Sequence, residues 1–363
     1  MGRLRFEIRG SSMAGRLPMG DDGAMGQPPP NRPTADRRRP SPRKSAQVAL
    51  LVNPAARRGR VAADVSRVLA RLRRRGVEPL VLDTSSAGEA RGAVQRAVEA
   101  GISRLVAVGG DGIVHMAAGA AAGSSTVVGI VAAGTGNDAA TALGLVDGDL
   151  DDQTDRALAD PVPVDLLICR NHDHSPDPTP VDRYALTSCI VGFPALVNVR
   201  AEAMTWPRGP ARYTLATLRA IPRMHPGLFR LILAGGPDGG PGSGRVLEQR
   251  AAVVVVANLG LFGGGMRICP DARPDDGLLD VCLVGDVGRL ALLQAFPKVR
   301  TGEHLDHPGV TVLRTAELSV EVLDGDPTVR ADGEPFGTLP TTFGVRPGAL
   351  RVAGASTSPP GRA

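Results

Sequence analysis

Lysine is almost absent from this sequence of 363 residues, which contains only Lys44 and Lys298. Neither follows a Gly-rich loop, and no G-x-x-x-x-G-K-[ST] motif is present, so a P-loop site is excluded. A protein-kinase site is excluded too, because it needs a strand lysine to hold the ATP phosphates.

The sequence also has no C-x-x-C pair, few aromatic residues and no long apolar run. Cys169, Cys189, Cys269 and Cys282 form no C-x-x-C pair, so we expect buried thiols of a reducing compartment instead of a zinc cluster or disulfides. Aromatic residues are only 3% of the chain, so the core must consist of Val, Leu, Ile and Ala. Without a run of about 18 apolar residues or a signal peptide, we expect a cytoplasmic protein, peripheral to the inner face of the membrane.

Positive charge is concentrated in the first 45 residues. Ten Arg/Lys and four Asp/Glu give residues 1–45 a net charge of +6, against +5 for the whole chain. A nucleic-acid partner needs a basic face on the folded part, and none is indicated. We expect residues 1–45 and 356–363 to be disordered; the first segment is either a solvated leader or a contact for anionic lipid headgroups.

Strand and helix patterns alternate over 46–162. Short apolar runs at 48–52, 79–84, 104–110 and 126–134 are typical of buried parallel strands, and helical spacing follows each run. This alternation predicts an open parallel α/β domain. Ligands of such sheets bind beyond the carboxyl ends of the strands.

Strands dominate over 163–355, where few helical patterns intervene. The predicted strands lie at 164–170, 184–193, 227–235, 251–258, 278–284, 315–323 and 348–354. Strands without regular crossover helices predict an antiparallel β-sandwich domain, whose last segment we expect to return to the first domain.

The Gly109-Gly110-Asp111-Gly112 turn follows the third strand and precedes a helix. Its glycines let main-chain N–H groups approach a phosphate, and a helix start favours anions. Asp111 could orient Mg²⁺ or accept a proton. The same residues are also compatible with an ordinary turn that ends in a helix cap.

Two further turns follow strands of the same sheet. Gly134-Thr135-Gly136-Asn137-Asp138 matches G-x-G-x-x-A, but it follows the fourth strand, whereas dinucleotide-binding glycines follow the first. Asn53-Pro54-Ala55-Ala56-Arg57 follows the first strand and can donate to phosphate, or it is ordinary turn chemistry. Together the three turns predict a site for a phosphorylated ligand at one edge of the sheet.

The second half adds two carboxylate-bearing segments. Residues 262–266 read F-G-G-G-M and lead to 275–280, D-D-G-L-L-D, which suit a hard cation or a plain β-turn. Asp332-Gly333-Glu334 places two acids around one glycine, as in a hairpin turn or a pair that activates a hydroxyl. The H-D-H and H-L-D-H groups at 172–174 and 304–307 read as solvated loops.

In order and spacing, these five segments resemble the diacylglycerol kinase catalytic family, which includes bacterial lipid kinases, sphingosine kinases and ceramide kinases. The resemblance covers about 48–352. It implies an NAD kinase-like fold, with ATP and lipid meeting between an α/β domain and a β-sandwich. It also implies ATP-dependent phosphorylation of a membrane lipid, with diacylglycerol giving phosphatidic acid as the first choice; a homodimer is left open.

Site residues follow from the same resemblance. Glu334 matches the proton acceptor, supported by Asp332 and Asp111, with ATP and Mg²⁺ as cofactors. Arg273 (through its carbonyl), Asp276 and Leu278 match a structural cation site. The ATP site would comprise Asn53, Pro54, Ala55, Ala56, Arg57, Thr84, Gly109, Gly110, Asp111, Gly112, Ile113, Val114, His115 and Thr135, to which the second phosphate turn adds Gly134, Gly136, Asn137 and Asp138.

The sequence departs from the family after the first turn. The family commonly reads G-G-D-G-T, then one residue, then Asn and Glu; here Ile113, His115 and Met116 stand at those positions. A phosphate- or metal-contacting hydroxyl is therefore lost. Alternatives left open are a kinase for a sphingoid lipid, NAD or another alcohol, and a non-catalytic lipid-binding relative.

Overall fold

The chain was examined as a computed structural model, which describes residues 48–52, 60–82, 84–171, 182–204, 206, 210–220, 225–238, 244–359 and 361. The expected disorder of 1–45 lies outside this range, as do Asn53–Arg57 and the H-D-H group.

The first half alternates strands with helices. Its elements are β1 (Val48–Val52), α1 (Arg60–Arg74), β2 (Leu80–Leu82), α2 (Ala87–Glu99), β3 (Arg104–Gly109), α3 (Asp111–Ala121), β4 (Val127–Ala132), α4 (Asp138–Ala142) and α5 (Leu150–Arg156). The strands pair in parallel in the order β2-β1-β3-β4. Helices α2 and α3 pack on one face and α1 and α5 on the other, which explains why β1, β3 and β4 are apolar except for Arg104 at the start of β3.

The second half is dominated by antiparallel strands. Its elements are β5 (Pro161–Asn171), β6 (Arg183–Ala185), β7 (Ser188–Gly192), α6 (Phe193–Ala203), α7 (Pro210–Ala220), β8 (Gly227–Ala234), β9 (Arg245–Ala257), β10 (Leu261–Phe262), β11 (Met266–Arg267), β12 (Leu279–Gly285), α8 (Arg289–Ala295), β13 (Val310–Thr315), β14 (Glu317–Asp324), β15 (Thr328–Ala331), β16 (Glu334–Thr338) and β17 (Thr341–Ala353). Phe229 and Phe343 are buried at the centre of this half. The predicted parallel α/β core followed by an antiparallel β-sandwich is confirmed.

The last strand, β17, runs alongside both halves. Near its start it pairs antiparallel with β14, and along its length it pairs with β5. At Arg351 and Val352 it pairs in parallel with β4, the edge of the α/β sheet. Through β17, 15 strands from both halves form one continuous sheet, while β10 and β11 pair separately.

Two predicted elements are divided in the structure. The strand predicted at 184–193 is two strands, because the N–H groups of Leu186 and Thr187 leave the ladder and donate to the Asp332 side chain. Helical spacing at 288–300 predicts one helix, but the α-helix ends at Ala295 and a 3-10 turn follows from Pro297, whose ring nitrogen cannot donate to a helical hydrogen bond.

Two expectations of the sequence can be compared directly with the described residues. All four cysteines are buried and free, as expected. Among the helices in the described residues, none combines the length and apolar character that crossing a membrane requires.

Candidate active site

The first glycine turn joins the buried strand β3 directly to α3. Gly110 precedes the helix in an extended conformation and brings no capping side chain. No capping side chain competes for the N–H groups at this helix start, although the Ile113 N–H already donates to the Gly110 carbonyl (3.0 Å). A helix start of this kind attracts anions such as phosphate.

The second glycine turn packs against the first, backbone on backbone. A Cβ atom on Gly134 would lie 3.0 Å from the main-chain nitrogen of Gly110 and closer still to its Cα. Asn137 adopts the left-handed conformation (φ 61°), and its amide group bonds both the N–H and the C=O of Gly134 at 3.0 Å. Thr135 is left exposed at the tip of the turn. The sheet edge thus presents two glycine turns as one surface.

Asp111 links these two turns. Its carboxylate accepts hydrogen bonds from the N–H groups of Asn137 (2.8 Å) and Ala139 (3.2 Å) at the start of α4. Burial raises the pKa of Asp111 and the nearby Asp332 charge adds to this, while the N–H donors oppose it. Asp111 therefore holds the turns together, and the Asp332 charge is close enough to act on it.

Asp332 lies in a two-residue hairpin turn between β15 and β16. Both Asp332 (φ 48°) and Gly333 (φ 81°) have positive φ, as the tightest hairpin turns require. The carboxylate accepts from the N–H groups of Leu186 (2.7 Å), Thr187 (2.7 Å) and Ser188 (3.1 Å), and from the Thr187 hydroxyl. A carboxylate offers about four lone-pair positions, so these donors nearly saturate it.

His115 on α3 provides a further partner of Asp332. Its Nδ1 atom lies 2.6 Å from Asp332 Oδ2, although the two residues are 217 positions apart. Burial works against a charged imidazole, but the Asp332 carboxylate outweighs it and raises the pKa of His115; the charge of Glu334 adds to this. The contact joins the helix of the first glycine turn to the D-G-E hairpin.

Glu334 differs from Asp332 in its surroundings. It begins β16, pairs with Ala331 across the hairpin, and is exposed. The Glu334 charge acts on His115, so the carboxylate lies near α3. Of the two acids in D-G-E, Glu334 is the one open to an incoming molecule.

Asp138 ties the second turn to the β half. It is buried, and its carboxylate accepts from the N–H groups of Gly264 (2.8 Å) and Gly265 (2.7 Å). Burial raises the pKa of Asp138, and these two bonds oppose the rise. The G-G-G loop therefore docks on G-T-G-N-D.

The segment predicted to hold a structural cation is engaged in ion pairs. The Asp276 carboxylate accepts from the Leu278 N–H (3.1 Å) and from Arg314, which also lies 3.5 Å from Asp280. Burial raises the pKa of Asp280 to about 6, and its Oδ2 atom has no hydrogen-bond partner.

A divalent cation at Arg273, Asp276 and Leu278 would compete with the Arg314 guanidinium. Within the described ranges, no group of three or more His, Cys, Asp or Glu residues could hold a metal. The donor set does not fit a cation while Arg314 occupies it. The assignment stays a prediction, and no step proposed below depends on it.

The remaining predicted residues differ in their accessibility. Ile113 and Val114 are 5% and 2% exposed and pack in the core of the α/β half, so their side chains face away from the turn. Thr84 is also buried, just after β2. Only their main-chain atoms suit a role in binding.

Sequence reasoning missed the residues that hold Asp332 in place. Thr187 contacts it directly, and the Nδ2 atom of Asn258 donates to the carbonyls of Leu186 and Asp165, both at 2.9 Å. Asp165 in turn accepts from Gly277 (2.8 Å) and Gly348 (2.7 Å). A signal was available, since Asp165 and Asn258 are single polar residues beside long apolar runs.

Comparison with known proteins adds family evidence to this geometry. Residues 47–169 match the diacylglycerol kinase catalytic domain, and 187–354 match the YegS C-terminal NAD kinase beta sandwich-like domain. The chain is 33% identical over 309 residues to a diacylglycerol kinase of Mycobacterium tuberculosis, covering 84% of this chain and 94% of that protein.

A second sequence relative and a solved structure are also similar to this chain. A probable YegS-like lipid kinase of Xanthomonas oryzae pv. oryzae is 30% identical and covers 80% of this chain and 91% of its own length. The crystal structure of a candidate diacylglycerol kinase from Bacillus anthracis str. Sterne superimposes with a TM-score of 0.66 at 21% identity. It covers 85% of this chain and 97% of that chain. At that identity, the likeness shows the fold.

Proposed function

This chain belongs to the diacylglycerol kinase family and is a lipid kinase, and we propose that it transfers the γ-phosphate of ATP to the hydroxyl of diacylglycerol, giving phosphatidic acid. The single observation that carries this proposal is the contact between His115 and Asp332. Through that contact, the exposed Glu334 stands beside the helix whose first turn is suited to phosphate.

In the proposed reaction, the phosphates of MgATP lie against the N–H groups of the turns at Gly110 and Gly134. Main-chain donors and the start of α3 stabilise the negative charge that is spread over the transferred group. The lipid oxygen attacks the γ-phosphorus as the bond to the β-phosphate oxygen breaks and ADP leaves. Glu334 accepts the hydroxyl proton, and Asp332 holds the hairpin in place.

Glu334→Gln tests this assignment. Glutamine keeps the size of the side chain but cannot accept the proton, so we expect turnover to fall by about 10²–10⁴-fold with ATP binding retained. Glu317→Gln, an exposed glutamate on β14, is the matched control and should stay close to wild type.

The assay follows label from ATP into diacylglycerol, monoacylglycerol, ceramide and sphingosine in mixed micelles, with NAD as a soluble acceptor. Label in diacylglycerol that disappears in Glu334→Gln is the expected result. Label in another acceptor would replace the proposed substrate. A Glu334→Gln variant within a few-fold of wild type would make the proton-acceptor assignment wrong.

We propose that the acceptor is met at a membrane surface through the α6–α7 region. Trp206 is 74% exposed, and Val199 and Leu218 are exposed as well. Arg200 and Arg219 are exposed nearby in sequence and suit anionic headgroups. Trp206→Ala should weaken sedimentation with vesicles that contain phosphatidylserine, while turnover of a short-chain soluble diacylglycerol stays unchanged. Equal sedimentation of variant and wild type would contradict this.

A further inference from the structure

The His115 imidazole is bonded to the Asp332 carboxylate, which other hydrogen bonds hold in place. The side chain of Asp332 is only 3% exposed, against 21% for His115, and its oxygens already receive hydrogen bonds from the segment Leu186–Ser188. The positive φ of Asp332 fixes its backbone as well. The Asp332 carboxylate is therefore a rigid anchor, and the position of His115 relative to the hairpin is set by that anchor.

The charge of His115 distinguishes it from a neutral hydrogen-bond donor. Asp332 and Glu334 on the hairpin favour the imidazolium, whereas burial and Arg91 on α2 oppose it. On α3 itself, Asp111 lies one helical turn before His115. The protonated ring therefore attracts both hairpin carboxylates, and its 2.6 Å contact with Asp332 keeps the hairpin against α3.

Loss of that proton changes the balance of charge. With a neutral ring, Asp332 keeps its main-chain donors, but Glu334 loses a positive neighbour. The exposed Glu334 is the member of the cluster least restrained by hydrogen bonds, so its position responds first. Displacements of about 1 Å in a reacting group can cost roughly 10²-fold in rate.

We propose that His115, in its protonated form and anchored by Asp332, is a positioning residue that keeps the D-G-E hairpin, and with it Glu334, against α3. This inference rests on the proposed function, because it assigns His115 a role in the same phosphate transfer. It goes beyond the family resemblance, in which His115 is only one member of the ATP-binding segment. The inference makes turnover depend on the protonation state of one histidine of the six in the chain.

The test is the pH profile of turnover in wild type, His115→Asn and His115→Ala. Asparagine can still donate to Asp332 but does not titrate. We expect wild-type turnover to fall as the pH rises through the raised pKa of His115, a flat profile for His115→Asn within about tenfold of the wild-type maximum, and a loss of about 10²-fold for His115→Ala. Thermal denaturation establishes that each variant is folded.

A second readout does not depend on activity. In the full chain with labelled histidines, the ¹³C/¹⁵N titration of His115 should have a raised midpoint in wild type and a clearly lower midpoint in Asp332→Asn, where burial acts without the main opposing charge. An unchanged midpoint in that variant would overturn the anchored ion pair.

The outcomes separate the two proposals. If wild type phosphorylates lipid and His115→Asn keeps the same descending limb, another group titrates and this inference fails alone. If wild type labels no lipid at all, the proposed function fails, and the role of His115 in it fails as well. A flat His115→Asn profile beside an active, pH-sensitive wild type supports both.

Discussion

At the scale of single residues, burial gives the two acids of D-G-E different chemistry. Asp332 is enclosed by donors from Leu186, Thr187 and Ser188, so protonation would cost it several hydrogen bonds. Glu334 has no such enclosure and is exposed. The two carboxylates have the same chemistry, but their surroundings make Asp332 an anchor and Glu334 a candidate base.

The His115–Asp332 pair should make stability depend on pH in two directions. The pKa of His115 is raised above 6.5, so its contribution is complete below pH 6.5 and is lost as pH rises through the raised pKa. The pKa of Asp332 is lowered below 3.8, since His115 and the hydrogen bonds outweigh burial; its contribution is present above 3.8 and lost as pH falls through the lowered pKa.

We therefore predict that wild type exceeds His115→Asn in free energy of unfolding mostly between pH 3.8 and 6.5. The difference should shrink by about 1.5–3 kcal/mol in alkaline solution, the usual value of a charged hydrogen bond. Urea unfolding across pH 4–9 measures it. Parallel curves for the two proteins would contradict the prediction.

At the scale of elements, the turns after β3 and β4 depend on the absence of side chains at one contact. Gly134 faces Gly110 so closely that a Cβ there would meet its main-chain atoms and the Asn137 side chain. Gly112, in the first turn of α3, has nothing within 4 Å of an added Cβ. The two glycines therefore look alike in sequence but have different physical requirements.

We predict that Gly134→Ala destabilises the protein by about 1–3 kcal/mol, because overpacking moves backbone against backbone. Gly112→Ala should be neutral or slightly stabilising, since alanine is favoured in a helix. Differential scanning calorimetry of both variants compares them. A destabilised Gly112→Ala with an unaffected Gly134→Ala would show that the contact is misplaced.

The sequence predicts those strands and helices whose formation depends on neighbouring residues in the chain. The buried strands β1, β3 and β4 are apolar because helices cover both faces of the sheet, and that pattern is visible in the sequence. The break between β6 and β7 was missed because its cause is Asp332, about 145 positions away. The main-chain N–H groups of Leu186 and Thr187 leave the ladder for that carboxylate, and no neighbouring residue signals it.

At the scale of the whole molecule, the two halves are joined at specific points in addition to the sheet. Asp138 bonds Gly264 and Gly265, and His115 bonds Asp332. Sequence reasoning placed all of these residues in motifs and expected Asp138 to contact the nucleotide. Its carboxylate serves the G-G-G loop, and that partner could not be predicted because it depends on how the halves meet.

We predict that Asp138→Ala lowers the free energy of unfolding by about 1–3 kcal/mol, since two N–H groups lose their acceptor. Hydrogen exchange at the Gly264 and Gly265 amides should accelerate. Asp147→Ala, an exposed aspartate in the loop before α5, is the matched control. Unchanged exchange at both amides would mean that the loop is held by other contacts.

The long pairing of β17 has a consequence for how the chain folds during synthesis. Until β17 has been synthesised, β4 has an unpaired edge, and β5 and β14 each lack one of their partner strands. A ribosome must add more than 200 residues between Ala132 and Arg351 before that edge can close. Uncovered edges invite pairing with other chains, so the nascent α/β half should need chaperone protection until its final strand arrives.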